Sequence, residues 1–272
     1  MNSNANTRMR RRELHHLLAG VAAALVGSVF LALLLHPLFP TFTPERIFTR
    51  LAALSALGAA LHYTFTFPEG WNRVGLAPSS ALTGDILRGF RLGLVPFLFF
   101  LGLRILFGAA FFGFNRTLGD LAFRLLENLL AALIIAFSEE FFMRGYLTGI
   151  LVRSGGSTAG ILLGSLFFSA IHFLRIRPGQ QIPPEAFGLF CTGIALALPL
   201  VATGRLGRSV GLHSAWIFLM KSSPLFFIAR QDVSPLLWPP ERLYASPLAW
   251  PLLLLTGCLA AKVSSSGSDS DQ

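Results

Sequence analysis

Charge is what this sequence has least of. Only 13% of its 272 residues are Asp, Glu, Lys or Arg, while 53% are hydrophobic. Soluble domains carry about 25% charged residues. A chain this poor in charge cannot cover a globular surface with polar groups, which excludes an ordinary soluble domain and leaves the bilayer as the solvent. Cysteine is scarce as well. Cys191 and Cys258 both lie in apolar stretches and read as small lipid- or core-facing residues, nothing supports a disulfide between them, and they carry no information about redox compartment. No internal repeat is present, and no segment reads as a separate soluble domain.

The charge that is present is basic and uneven. Twenty Arg against two Lys give a net charge of +9. A basic balance can signal nucleic-acid binding, but here the densest group is Arg8, Arg10, Arg11 and Arg12, immediately before the first apolar run. That is a juxtamembrane cluster suited to anionic headgroups, and nucleic acid is not an expected partner. The Arg-over-Lys bias, with abundant Ala, Leu and Gly, points to a GC-rich bacterial genome. The apolar run Leu17–Leu35 exceeds a signal-peptide core and no A-x-A cleavage site follows it, so it is read as a retained span.

Long hydrophobic runs are abundant. A span needs about 20 mostly apolar residues, and eight candidates occur near His15–His36, Ile47–Phe67, Phe90–Phe112, Leu121–Val152, Thr158–Leu174, Glu185–Thr203, Val210–Ala229 and Pro247–Ala261. The fourth is too long for one simple crossing, the fifth is short and the eighth marginal, so seven spans would also fit. The expected fold is an all-α, polytopic transmembrane helix bundle. Five segments follow: a basic cytoplasmic N-terminus (1–14), N-terminal transmembrane helices (15–119), a central group of helices (120–220), a C-terminal transmembrane region (221–262) and a disordered tail (263–272). Pro68–Pro78 carries Gly70 and Gly75 and is expected to hold at most a short helix. The N-terminal arginines place that end in the cytoplasm, together with Arg73, Arg88, Arg153, Arg205, Arg208 and Lys262. Arg46, Arg116, Arg175, Arg177, Arg230 and Arg242 then lie on the opposite side of what is expected to be the bacterial cytoplasmic membrane.

Polar residues inside such spans cost about 2.5–3.5 kcal/mol each on the insertion scale, so each one is a functional candidate. Three places stand out. The first is Phe137-Ser-Glu-Glu-Phe-Phe-Met-Arg-Gly-Tyr146. At about 100° per residue, Arg144 lies roughly 40° from Glu140 and about 140° from Glu139. Glu140 is therefore the i,i+4 partner of Arg144, and Glu139 is left without local neutralisation, as a general base acting on water would be. An interfacial ion cluster that anchors the helix is the bland alternative. The second place is Phe167-Phe-Ser-Ala-Ile-His172, and the third is Gly211-Leu-His-Ser-Ala-Trp216. A lone membrane histidine is more often an interhelical hydrogen-bond partner than a catalyst, but His172, His213 and a carboxylate pair on three helices make an inventory for activating water. Glu139, His172 and His213 are also the right donor types for one divalent metal ion such as zinc, and a metal-free mechanism is equally compatible. The HExxH zincin motif and the GxSxG elbow are both absent, and Ser169 and Ser214 have nothing that singles them out as nucleophiles.

Glu139-Glu140-x-x-x-Arg144, Phe168-x-x-x-His172 and His213 in its Gly-Leu-His-Ser-Ala-Trp setting together resemble the CPBP family. These multi-pass proteins include the CAAX prenyl endopeptidases and bacterial relatives, some called Abi proteins. The resemblance covers roughly residues 120–220. It implies an intramembrane peptidase in which Glu139 and His172 activate water and His213 binds the oxyanion, with Glu140, Arg144 and Phe168 completing the motifs. Members of the family have been described both as metalloproteases and as metal-free glutamate proteases. Prenyl proteases of the family have an asparagine four residues after the third-motif histidine, where this chain has Ile217, which can neither donate a hydrogen bond nor bind metal. The implied substrate is a membrane-associated protein or peptide, with lipoprotein-like, pheromone-like or C-terminally tagged chains all open. The rival readings are a non-catalytic membrane immunity or scaffold protein, which Ile217 favours, and a small proton-coupled transporter, which the absence of inverted repeats disfavours.

Overall fold

With no water in the hydrocarbon to satisfy free backbone groups, long apolar runs must close their hydrogen bonds internally. In the computed structural model, which describes residues 3–262 apart from 40, 78–80, 114–115, 175–181, 231 and 240–241, they do so almost entirely as helices. The expected disorder of the tail, and the positions of Arg175 and Arg177, lie outside the described residues. The helices are α1 (Ser3–Ala22), α2 (Ser28–Leu35), α3 (Pro44–Thr66), α4 (Gly70–Arg73), α5 (Ala81–Leu106), α6 (Leu118–Glu140), α7 (Gly149–Gly155), α8 (Ser157–Ile171), α9 (Ile182–Thr203), α10 (Gly207–Ser222) and α11 (Trp250–Lys262). A π-helical stretch, Ala23–Gly27, joins α1 to α2, and a second, Phe141–Thr148, joins α6 to α7.

Local chemistry sets the boundaries. Thr117 caps α6 by accepting the Asp120 amide, and Arg116, Asp120, Arg124 and Glu127 form exposed ion pairs over its first turns. The long fourth segment therefore starts outside the apolar layer. Gly156, at φ +88°, ends α7 and lets α8 turn straight back. The loop after α3 holds only the four-residue α4 and the positive-φ Gly75, as its glycines implied.

Contacts between loops gather the helix ends into two sets. At one end Leu206 N–H donates to Gly75 O, Glu13 pairs with Arg73 and Arg153, and Arg208 reaches both Asp85 and the Ala260 carbonyl. The middle of α1, the starts of α5 and α10 and the ends of α3, α7, α9 and α11 therefore lie together. At the other end β1 (Ala110–Phe112) pairs antiparallel with β2 (Phe227–Ala229), and Glu185 at the start of α9 binds Arg242. The two-stranded ribbon is a departure from the expected all-α chain. It forms where α5 and α10 stop and the exposed backbone between them must pair.

Among the described residues four helices are long and apolar enough to cross a membrane unaided: Asn6–Leu38, Ala81–Leu106, Leu118–Gly155 and Ile182–Thr203. The chain is a multi-pass membrane protein, but the expected seven or eight such spans are not all of that kind. α8 and α11 have 15 and 13 residues, and α10 has 16 and carries Arg208, His213 and Lys221. These shorter helices are shielded by neighbours instead. α10 packs along α5, where Gly89, Gly93, Gly207 and Gly211 bring the backbones so close that a Cβ at Gly211 would press on the Ile86 carbonyl.

Candidate functional site

Three elements deliver the polar side chains to one place. Glu139 and Glu140 close α6, His172 caps the C-terminus of α8, and His213 lies midway along α10. Directly after the glutamate pair the backbone changes to π-helix for eight residues, all of them buried. Such stretches are rare and occur most often at functional sites.

Glu140 is the centre of the arrangement. Its side chain has no solvent exposure, and Oε1 lies 3.1 Å from Arg144 Nη1 and 2.7 Å from His213 Nδ1. The expected pairing of Glu140 with Arg144 is present, and the contact to His213 adds a partner that helix geometry alone could not give. Because a carboxylate only accepts, His213 Nδ1–H is the donor, which fixes the ring and leaves Nε2 turned toward the other glutamate. That distance, His213 Nε2 to Glu139 Oε2, is 3.8 Å. Glu139 is a different kind of carboxylate, with 40% of its side chain exposed. The two adjacent acids thus face opposite environments, one sealed and one open, as their 100° separation requires.

His172 is held by its own helix end. Nδ1 donates to the Phe168 carbonyl at 2.7 Å, so Nε2 carries the free lone pair. Phe168 fills the space between these groups. The Arg144 guanidinium stands 4.3 Å from its ring centroid, while the rings of His172 and His213 lie 4.5 and 6.2 Å away, edge-on. Arg144 Nη2 also reaches the Gly193 carbonyl at 3.5 Å. Glu140, Arg144 and Phe168 are therefore contiguous with both histidines. Ser169 and Ser214 donate to the Ala186 and Val210 carbonyls, so neither hydroxyl is poised as a nucleophile.

Two cavities meet here. One, about 250 Å³, lies between α5, α9, α10 and the approach to α11, and the other, about 430 Å³, lies between α1, α3 and the α6–α8 region. Glu139 and His172 line both, and His213 lines the first. Ile217 faces the first cavity beside Trp216. Among the described residues no group of three or more His, Cys, Asp or Glu side chains is arranged to hold a metal ion.

Several buried polar residues escaped the sequence reading. Glu13, Tyr63, Arg73 and Arg153 form a cluster at one end of the bundle, and Asp85 binds Arg205 and Arg208. The usable signal was a lone acid, Glu13 or Asp85, at the start of an apolar run, with arginines in loops assigned to the same side. Lys221, eight residues after His213 on α10, is exposed, and its carbonyl accepts from Asn128.

Residues 121–219 match the family model described as Type II CAAX prenyl endopeptidase Rce1-like. The matched stretch runs from the start of α6 into α10 and contains Glu139, Glu140, Arg144, Phe168, His172 and His213. No curated protein and no solved structure matches the chain.

Proposed function

Starting from residues 121–219 as a segment assigned to the Rce1-like CAAX protease family, we propose that this chain is an intramembrane endopeptidase that hydrolyses a peptide bond in a membrane-associated protein or peptide. The observation that carries the reading is the contrast between neighbours: Glu140 sealed against Arg144 and His213, and Glu139 open to two cavities beside His172.

In this mechanism Glu139 is the general base. It takes a proton from a water whose other hydrogen is accepted by His172 Nε2. The hydroxide oxygen attacks the scissile carbonyl, and the negative charge that develops on its oxygen is met by His213. His213 can donate from Nε2 when its ring carries both protons, with Nδ1–H held on Glu140, and that arrangement does not depend on the asparagine that Ile217 replaces. The proton on Glu139 then passes to the leaving nitrogen as the C–N bond breaks, giving a carboxylate and an amine. Glu140 and Arg144 act as positioning residues, because they touch His213 and Phe168 and no reacting atom. The chain is read as crossing the bilayer eight times, N-terminus in the cytoplasm, with the shorter helices carried by the four long ones.

The test is Glu139→Gln in purified protein reconstituted into vesicles. Cleavage should fall by about 10²- to 10⁴-fold, the usual contribution of a general base, with thermal stability and insertion unchanged because the side chain is open to a cavity. Retained cleavage, or equal biological activity of a Glu139→Gln, His172→Ala double variant, would return the reading to a non-catalytic immunity or scaffold protein. Metal analysis of the same preparation and cleavage in the presence of a chelator address the metal-dependent form of the chemistry.

A further inference from the structure

The two cavities at the site differ in place but not in character. The first is walled by Phe97, Phe100, Trp216 and Leu253, the second by Val21, Leu57, Phe142 and Phe167. No Lys or Arg lines either one among the described residues, and their polar groups are few, with Glu139 and His172 common to both. A dry apolar cavity of about 150 Å³ is enough to hold a benzene ring, so cavities of about 250 and 430 Å³ have room for one or more large apolar side chains each.

From this we infer the substrate class: an internal peptide bond flanked by apolar residues on both sides, one flank seated in each cavity and the bond itself lying across Glu139 and His172. The inference rests on the peptidase reading and goes beyond it. A chain running from one cavity to the other must pass the two residues that line both, which places its middle at the proposed base. Helices outside the matched segment line both cavities, α5 and α11 the first and α1 and α3 the second, so they contribute to the selectivity on each flank.

Two measurements test this. In the first, a library of acetylated, amidated peptides with apolar and polar residues varied around a central bond is incubated with the wild-type protein in vesicles, and cut positions are read by mass spectrometry. Apolar residues should be enriched on both flanks. Ala249→Phe, which narrows the first cavity, should shift preference to smaller residues on one flank by about 10- to 200-fold, and Ala56→Phe, which narrows the second, should do so on the other. Enrichment on one flank only, or both variants acting on the same flank, would overturn it. In the second, a blocked apolar peptide carrying a photoreactive leucine on one flank or the other is bound to the Glu139→Gln protein and cross-linked. One probe should label α10 or α11 and the other α1 or α3, whether or not the peptide is ever cut, and both probes labelling a single cavity would refute the inference. Cleavage unaffected by Glu139→Gln would instead sink the peptidase reading, so the two failures are distinguishable.

Discussion

Among the described residues four buried acids, Glu13, Asp85, Glu140 and Glu185, have arginine partners, and Glu13 and Glu140 make the sharpest contrast. Glu13 is 1% exposed and saturated: Tyr63 donates to Oε1 at 2.5 Å, Arg73 Nη1 lies 2.7 Å from it, and Arg153 Nε lies 3.4 Å from Oε2. Arg153 also donates to Tyr63 and to the Arg73 carbonyl, closing the network on itself. Burial works against the Arg73 charge, and the adjacent Glu13 carboxylate more than offsets it, so this guanidinium stands above its ordinary value. Glu140 is as deeply buried but less complete. Oε1 serves both Arg144 and His213, while Oε2 has no hydrogen-bond partner. The first cluster binds α1, α3 and α7 into one end of the bundle. The second aims a histidine at an open glutamate. Burial and ion pairing therefore do not by themselves separate the two clusters; what sets the second apart is an acid with an open acceptor oxygen beside Glu139, which lines both cavities.

The comparison is tested most severely at Glu140. Replacing it with alanine leaves Arg144 and His213 buried without their shared acceptor, and breaking such a pair costs about 3–5 kcal/mol. Glu140→Ala should therefore lose that much stability in detergent unfolding and lose cleavage as well, because His213 is released from its orientation. Glu13→Ala should cost less, about 1–3 kcal/mol, since its arginines are 27% and 26% exposed and can turn toward water. Cleavage per folded molecule should stay at the wild-type level. If Glu13→Ala inactivates a protein that unfolds normally, the end cluster is coupled to the site and the distinction drawn above fails.

The candidate site residues were easier to find in the sequence than the scaffold that holds them. Glu139, Glu140, His172 and His213 were conspicuous because a charge in an apolar run is costly, and simple helix periodicity separated the two glutamates. The same arithmetic paired Glu140 with Arg144. It could not pair Glu140 with His213, which lies 73 residues away on another helix, nor foresee that the backbone would widen to a π-helix at Phe141. The helical character was legible, but the number of self-sufficient spans was not. Hydropathy treats each segment as if lipid surrounded it, whereas α10 is covered by α5, α6 and α9 and needs no apolar face of its own. Glu13 was hidden for the opposite reason. It follows a run of arginines, where an acid looks like ordinary interfacial charge, and its real partners, Tyr63, Arg73 and Arg153, come from three separate parts of the chain.

The smallest expected effect is the sharpest probe of the saturated cluster. Tyr63→Phe removes one hydroxyl that donates to Glu13 and accepts from Arg153, and it keeps the ring that packs against Phe67 and Tyr146. Glu13 retains both arginines, so no charge is left unpaired and the loss should be about 1 kcal/mol, the net value of an ordinary hydrogen bond. Cleavage should not change. Tyr146 makes this more than a stability measurement, because it lies in the π-helical stretch that follows Glu140 and its hydroxyl contacts His16 on α1. That stretch is one route from the end cluster to the site, beside the direct packing of α7, which carries Arg153, on α8. A Tyr63→Phe protein with unchanged unfolding but altered cleavage would therefore reveal a coupling between the end cluster and the site, and an unchanged rate would show that the two are independent.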